Sequence, residues 1–279
     1  MPACYFGALF LGALLSSSAG AQWKLVWSDE FDKPGLPDPA RWDYETGFIR
    51  NNEAQYYTRG RTENARVENG MLVIEARKER FSNPNFDSSG QPGRRASRSR
   101  EFAEYTSASL TTRGKASWTN GRIEVRAKLP AGRGTWPAIW TLGADRGSGW
   151  PACGEIDIME HVGFEPGKIH ANVHTQKYNH VKKNGKGSQL SVPDATNAFH
   201  LYALEWSPDR LDFFIDDHKY FTYENEKSGS DAWPFDKPEY LILNLAIGGE
   251  WGGAKGIDEA IFPQKYYVDF VRVYQRQTK

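Results

Sequence analysis

The sequence is short of one-sided charge, of cysteine and of long apolar runs. Lys plus Arg and Asp plus Glu both number 35 in 279 residues, so nothing in the balance favours nucleic acid, an anionic membrane surface or a polyanionic substrate. There are 2 cysteines, and Cys4 lies in an apolar leader, so Cys153 is alone in the mature chain and no intramolecular disulfide can form. Packing, or a bound ion, has to hold the domain. Ala152 and Gly154 offer Cys153 no neighbouring base, and it reads as a buried structural thiol rather than a nucleophile. No apolar run reaches the roughly 20 residues of a membrane span. Internal repeats, domain linkers and helical stripes of useful length are also missing. What remains fits one all-β domain whose 39% apolar residues supply a substantial core without a partner chain, so a monomer is expected.

Aromatic residues are plentiful: 10 Trp, 13 Tyr and 15 Phe make 14% of the chain, more than a core of this size requires. Flat apolar rings with polar rims suit the apolar faces of sugars. Residues 1–21 read as an export signal, with an apolar run from Tyr5 to Leu15 and the small triplet Ala19, Gly20, Ala21, so that the mature domain covers 22–279. Strand patterns dominate thereafter. Ile123, Val125, Ala127 and Leu129 alternate with Arg122, Glu124, Arg126 and Lys128, a strand with one buried face. Similar runs lie at 72–76, 107–111, 169–174, 201–206, 211–215, 241–247 and 267–274. Gly-, Pro-, Asn- and Asp-rich clusters at 130–134, 147–151, 184–187 and 248–253 separate them. Many short strands and little helix imply a β-jelly roll sandwich of two antiparallel sheets. Between Arg80 and Arg100 the chain turns polar, with Arg94, Arg95 and Arg98, and reads as a long surface loop; a basic lip on a cleft is the alternative.

Chemistry concentrates in Gly154-Glu155-Ile156-Asp157-Ile158-Met159-Glu160-His161. Glu155 and Asp157 alternate with Ile156 and Ile158, so one strand face is acidic and the other is core. Strict alternation then puts Met159 on the acidic face and Glu160 in the core, where an unpaired carboxylate costs several kcal/mol or loses its charge. One extra residue at Ile158 or Met159 corrects both, so a β-bulge is predicted there. With it, Glu155, Asp157 and Glu160 project from one face. Four effective steps place the two glutamate Cα atoms about 13 Å apart. Leaning side chains can bring the carboxyls toward the separation of about 5–5.5 Å that a retaining glycosidase uses. Asp157 between them is expected to hydrogen-bond Glu155, and the three pKa values to split. A solvated acidic face, or a Ca²⁺ site built on the triplet, is the competing reading.

Gly134-Thr135-Trp136-Pro137-Ala138-Ile139-Trp140, Trp150-Pro151 and the acidic strand resemble bacterial laminarinases of glycoside hydrolase family sixteen. So do Asn51-Asn52-Glu53-Ala54-Gln55-Tyr56-Tyr57, the run ending at His174, Leu243-Asn244-Leu245-Ala246-Ile247-Gly248-Gly249 and the closing Val268-Asp269-Phe270. The resemblance implies a jelly roll with a substrate cleft on its concave sheet, hydrolysis of β-1,3-glucan with retention, and no cofactor for catalysis. It assigns Glu155 as nucleophile, Glu160 as acid/base, Asp157 as their partner and His174 as a cleft residue. Mixed-linkage glucan, marine galactans, transglycosylation and a non-catalytic glucan-binding role are the alternatives it leaves. Trp136, Trp140, Trp150 and Trp251 are expected as stacking platforms, and Arg50, Asn51 and Asn52 as partners of sugar hydroxyls. Zinc on His170 and His174 lacks a third ligand of familiar spacing. The resemblance also implies a structural Ca²⁺ held by Asp269, with carbonyl oxygens near Glu30 and Gly70.

Overall fold

The computed structural model describes residues 22–87, 99–145 and 147–277. The expected export signal at 1–21, and Arg94, Arg95 and Arg98, lie outside the described residues. In chain order the strands are β1 (Trp23–Asp29), β2 (Asp43–Glu45), β3 (Gln55–Tyr57), β4 (Ala65–Glu68), β5 (Met71–Ser82), β6 (Phe102–Ser107), β7 (Ser109–Thr111), β8 (Gly121–Lys128) and β9 (Thr135–Gly143). They continue as β10 (Glu155–His161), β11 (Lys168–His174), β12 (Lys186–Ser191), β13 (His200–Trp206), β14 (Arg210–Ile215), β15 (His218–Glu224), β16 (Glu239–Ile247) and β17 (Gln264–Arg276). A single 3₁₀ turn, Glu259–Ile261, is the one helical element among the described residues.

Two sheets face one another. One runs β15-β14-β13-β8-β17-β5-β6-β3, with β1 on β17 and β4 on β5; the other runs β12-β11-β10-β9-β16-β7-β2. The pairing is antiparallel except between β3 and β6, which run parallel through Gln55↔Tyr105 and Tyr57↔Ser107. In β8 the alternation read from sequence is observed: Ile123, Val125 and Ala127 are buried, and the charged residues between them face outward. There Arg122 bonds Glu124 and Glu205. Leu72, Ile74, Ile156, Met159, Leu243 and Val268 meet in the shared interior. All nine residues of β16 are buried, because this central strand has the core on one face and a cleft floor on the other.

Three sequence boundaries are corrected. β5 continues to Ser82, and Arg80 stacks on Phe102 at 3.7 Å, so the expected loop begins later than Arg80. The turn expected at 184–187 gives way to β12 at Lys186, and the run at 107–111 is divided by Ala108 between β6 and β7. β10, the acidic strand, lies between β9 and β11 in the interior of its sheet.

Truncating a core side chain tests the packing. Leu243→Ala on β16, fully buried, is expected to cost about 2–5 kcal/mol. Urea denaturation should show a lower midpoint with an unchanged slope.

Candidate active site

The parity break predicted at 158–159 is present. Asp157 pairs with Asn172 and Glu160 with His170, with a register shift between them; against β9 the shift falls between Asp157 and Met159. Ile158 and Met159 are both fully buried in the core, and Glu155, Asp157 and Glu160 all line a cleft of about 610 Å³ on the outer face of the seven-stranded sheet.

Each carboxyl has its own surroundings. Glu160 accepts from Trp136 Nε1 and Asn172 Nδ2, both at 3.0 Å. Burial raises its pKa, and the neighbouring His174 and the two N–H donors oppose the rise. Asp157, 3% exposed, is pushed well up, first by burial and then by the charges of Glu160 and Glu239, and it shares a hydrogen bond with Glu155. Burial, then the Asp157 charge, push Glu155 up to about 8 against the pull of His174. His174 Nε2 lies 3.2 Å from Asp157 Oδ2 and 3.6 Å from Glu155 Oε1. The three carboxyls titrate as one set. A proton on Asp157 removes the second cause of the high Glu155 value, which lets Glu155 ionise beside it.

Aromatic residues wall the cleft. Trp140 donates to Asn244 Oδ1 at 2.7 Å and carries the Arg50 guanidinium 4.8 Å from its ring centroid; Arg50 is in turn held by Glu45. Trp251 meets Trp136 and His170 edge-on at 5.5 and 5.0 Å. Trp150, 41% exposed, projects beside His174. Arg50, Asn51, Trp136, Trp140, Trp150, His174 and Trp251 all line the cleft. Asn52 stands outside its wall, donating to Glu250 at 2.9 Å.

Asn172, Glu53, Asn244 and His180 are cleft residues that sequence reasoning did not carry into the site. Asn172 had a usable signal, since it shares one strand face with His170 and His174, alternating with Ala171 and Val173; His180, in a loop, had none. Behind the carboxylate strand lies Glu239, 1% exposed. Thr141 donates to one of its oxygens, and burial raises it to about 8. Gly154, at φ 85°, passes so near that a Cβ would sit 2.8 Å from Glu239 Oε1. Cys153 is a buried free thiol, pushed by burial to about 11, as a structural residue should be.

The two histidines considered for zinc are not brought together: His170 turns toward Glu165 at 3.6 Å, and His174 joins Glu155 and Asp157, one donor atom of each within 4.8 Å of the others. At the calcium position implied by resemblance, β17 shifts register around Asp269, near the ends of β1 and β5. The Asp269 carboxylate is engaged by Arg126 at 2.6 Å, and Glu30 is held through both oxygens by Arg272 at 3.0 and 2.8 Å. Gly70 sits in the β4–β5 turn at φ 73°. The expected donors are the Asp269 carboxylate and main-chain carbonyls near Glu30 and Gly70, a set that the pairing of the Glu30 side chain leaves untouched.

Comparison with known proteins places this geometry. The family model described as glycosyl hydrolases family 16 matches residues 52–272. A β-glucanase of Rhodothermus marinus is 51% identical over 96% of this chain and 91% of its own length. The structure of the laminarinase from Rhodothermus marinus superposes with a TM-score of 0.82 at 50% identity, covering 92% of this chain and 99% of that one. SCLam, described as a non-specific endo-β-1,3(4)-glucanase, gives 0.82 at 49% identity over 92% and 93% of the two chains.

A carboxyl with a raised folded-state pKa contributes stability that is complete below its ordinary value of 4.5 and is lost as pH rises through about 8. Glu155→Gln removes that loss. Its Tm should match that of the unsubstituted protein near the acid end of this range and exceed it increasingly toward pH 8, each kcal/mol being worth about 2–4 °C. Thermal scans across pH that show no widening gap contradict the electrostatic assignment.

Proposed function

The chain belongs to glycosyl hydrolase family 16, and on that footing we propose that it is an exported, retaining endo-β-1,3-glucanase with Glu155 as nucleophile and Glu160 as acid/base. The observation that carries the reading is the bulge on β10, which turns Glu160 to the face of Glu155 inside an indole-walled cleft. The apolar leader at 1–21 supports export. None of the described helical segments is long and apolar enough to cross a membrane.

In the first displacement the Glu155 carboxylate attacks the anomeric carbon while Glu160 gives its proton to the departing glycosidic oxygen, leaving a glycosyl ester on Glu155. Burial favours the protonated form of Glu160 before that step. Trp136 and Asn172 then stabilise the carboxylate it becomes. In the second displacement Glu160 takes a proton from water, which attacks the same carbon and releases Glu155. Asp157, hydrogen-bonded to Glu155, orients the nucleophile, and His174 Nε2 lies against both carboxyls. The cleft is lined from Asn172 on β11 to Asn244 on β16, a width that suits a polymer chain.

Mixed-linkage β-1,3-1,4-glucan is the second substrate to weigh, because a structural relative at 49% identity is described as non-specific for β-1,3(4) linkages. Hydrolysis of laminarin, lichenan, carrageenan and agarose should rank laminarin first and lichenan second; cleavage confined to a galactan overturns the substrate assignment.

Azide rescue tests the residue roles. Glu155→Ala should lose activity by about 10⁴-fold or more and, with azide and an activated glucoside, release the α-glycosyl azide, since azide replaces the missing nucleophile from its own face. Glu160→Ala under the same conditions should release the β-glycosyl azide from the intact ester. Reversed products exchange the two roles, and undiminished activity of either variant abolishes them.

A further inference from the structure

We propose that His180, in the loop between β11 and β12, is a positioning residue for the nucleophile, acting by locking the His174 ring against Glu155 and Asp157. This rests on the reading of Glu155 as nucleophile. His180 has no place in the two displacements above, yet the chain takes care to place it.

The loop around it is tied to itself. Asn179, 2% exposed, donates through Nδ2 to Thr175 O at 3.0 Å and accepts from Lys182 N through Oδ1 at 3.0 Å. Its own backbone N–H donates to Asn184 Oδ1 at 3.1 Å, and Asn184 Nδ2 donates to Lys177 O at 3.0 Å. Lys177 N–H donates to Asp231 O at 2.7 Å, which anchors the loop outside itself. The neighbour of Asn179 in sequence, His180, thereby has a fixed backbone and reaches back over the cleft.

Its imidazole completes a triangle of rings. His180 lies 5.2 Å from Trp150 at 35° and 5.1 Å from His174 at 86°, and Trp150 lies 5.9 Å from His174. The His174 ring is therefore enclosed by the two other rings on one side and by Glu155 and Asp157 on the other. The His180 ring, on an exposed residue of the tied loop, adds an edge contact that restrains the His174 ring in this position. Aromatic contacts of this geometry favour one rotamer over its competitors.

Charge favours the same division. His174 is faced by Glu155, Asp157 and Glu160 on β10 and by His180 on the loop; His180 is faced by His174 and by Glu250 after β16. Burial, and then the field of His174, lower the pKa of His180, with Glu250 opposing. Burial keeps His180 toward its neutral form, so it adds no second positive charge beside the His174 ring that faces Glu155 and Asp157. Without His180, water reaches the back of the His174 ring and weakens its field at Glu155.

The test uses His180→Ala and His180→Phe in the full chain. On laminarin, the alanine variant is expected to lose about tenfold in kcat with a smaller change in KM. The acid limb of its pH profile should move to higher pH, because Glu155 has lost support for its ionised form. His180→Phe, which keeps the ring contact, should recover most of the loss. By NMR, the His174 ring signal should stay single in the phenylalanine variant and broaden or split in the alanine variant. An alanine variant with unchanged kcat, acid limb and His174 signal overturns the proposal, as does a phenylalanine variant that loses as much as alanine. The NMR readout does not depend on turnover, so failure of the glucanase reading, seen as an unsubstituted protein that cleaves no β-glucan, is told apart from failure of this one.

Discussion

A strand that alternates strictly cannot show one solvent face two glutamates five residues apart; its parity has to break once between them. In β10 the break falls at Ile158 and Met159, both fully buried. The rest of the site depends on it. An unbroken strand sends Glu160 into the core among Leu243 and Leu245, where no described cation waits and an ionised carboxylate costs several kcal/mol. The break also sets what the neighbours must supply: Ala138 of β9 lies opposite Glu160, a small side chain on the cleft floor. Trp136, two residues earlier, reaches the Glu160 carboxyl with its indole N–H.

Burying three carboxyls side by side is unfavourable, and the cleft limits the cost with neutral donors rather than with a salt bridge to each. Trp136 and Asn172 serve Glu160, Asp157 and Glu155 share one hydrogen bond, and a single imidazole faces the latter pair. A guanidinium in direct contact would fix Glu160 as an anion and leave it no proton to give in the proposed mechanism. Arg50 is instead drawn aside by Glu45 and laid on Trp140, so it acts on Glu155 only at longer range.

Local rules made much of this legible. The alternation of β8 and the parity fault of β10 need only a period of two and the cost of burying charge, and both are present as read. β1 and β15 escaped notice because their burial patterns do not alternate cleanly. The parallel pairing of β3 with β6 joins segments about fifty residues apart, which no local pattern encodes. Similarly, nothing near His180 says that its loop folds back on Trp150, and nothing near Asp269 or Glu30 says that Arg126 and Arg272 will take their carboxylates. Each of those outcomes is a long-range pairing decided by the assembled sandwich.

The aromatic surplus divides in a way that separates packing from recognition. Trp42, Trp118, Trp206 and Trp233 are buried in the sandwich core, and Trp42 and Trp206 spend their N–H on Asp29 and on the Phe235 carbonyl. Trp136, Trp140, Trp150 and Trp251 line the cleft. Of these, Trp136 and Trp140 are four apart on β9 and so share a face, and each ties its N–H to a polar group of the floor, Glu160 or Asn244. A tryptophan anchored by its polar edge cannot tumble, and its apolar surface is held toward the space above the carboxylates. A cleft that needed only a dry environment could be lined with leucine. One that fixes indoles by their edges beside two reactive carboxyls is built to hold a flat apolar ligand surface in a set orientation, which is what the face of a glucosyl ring offers.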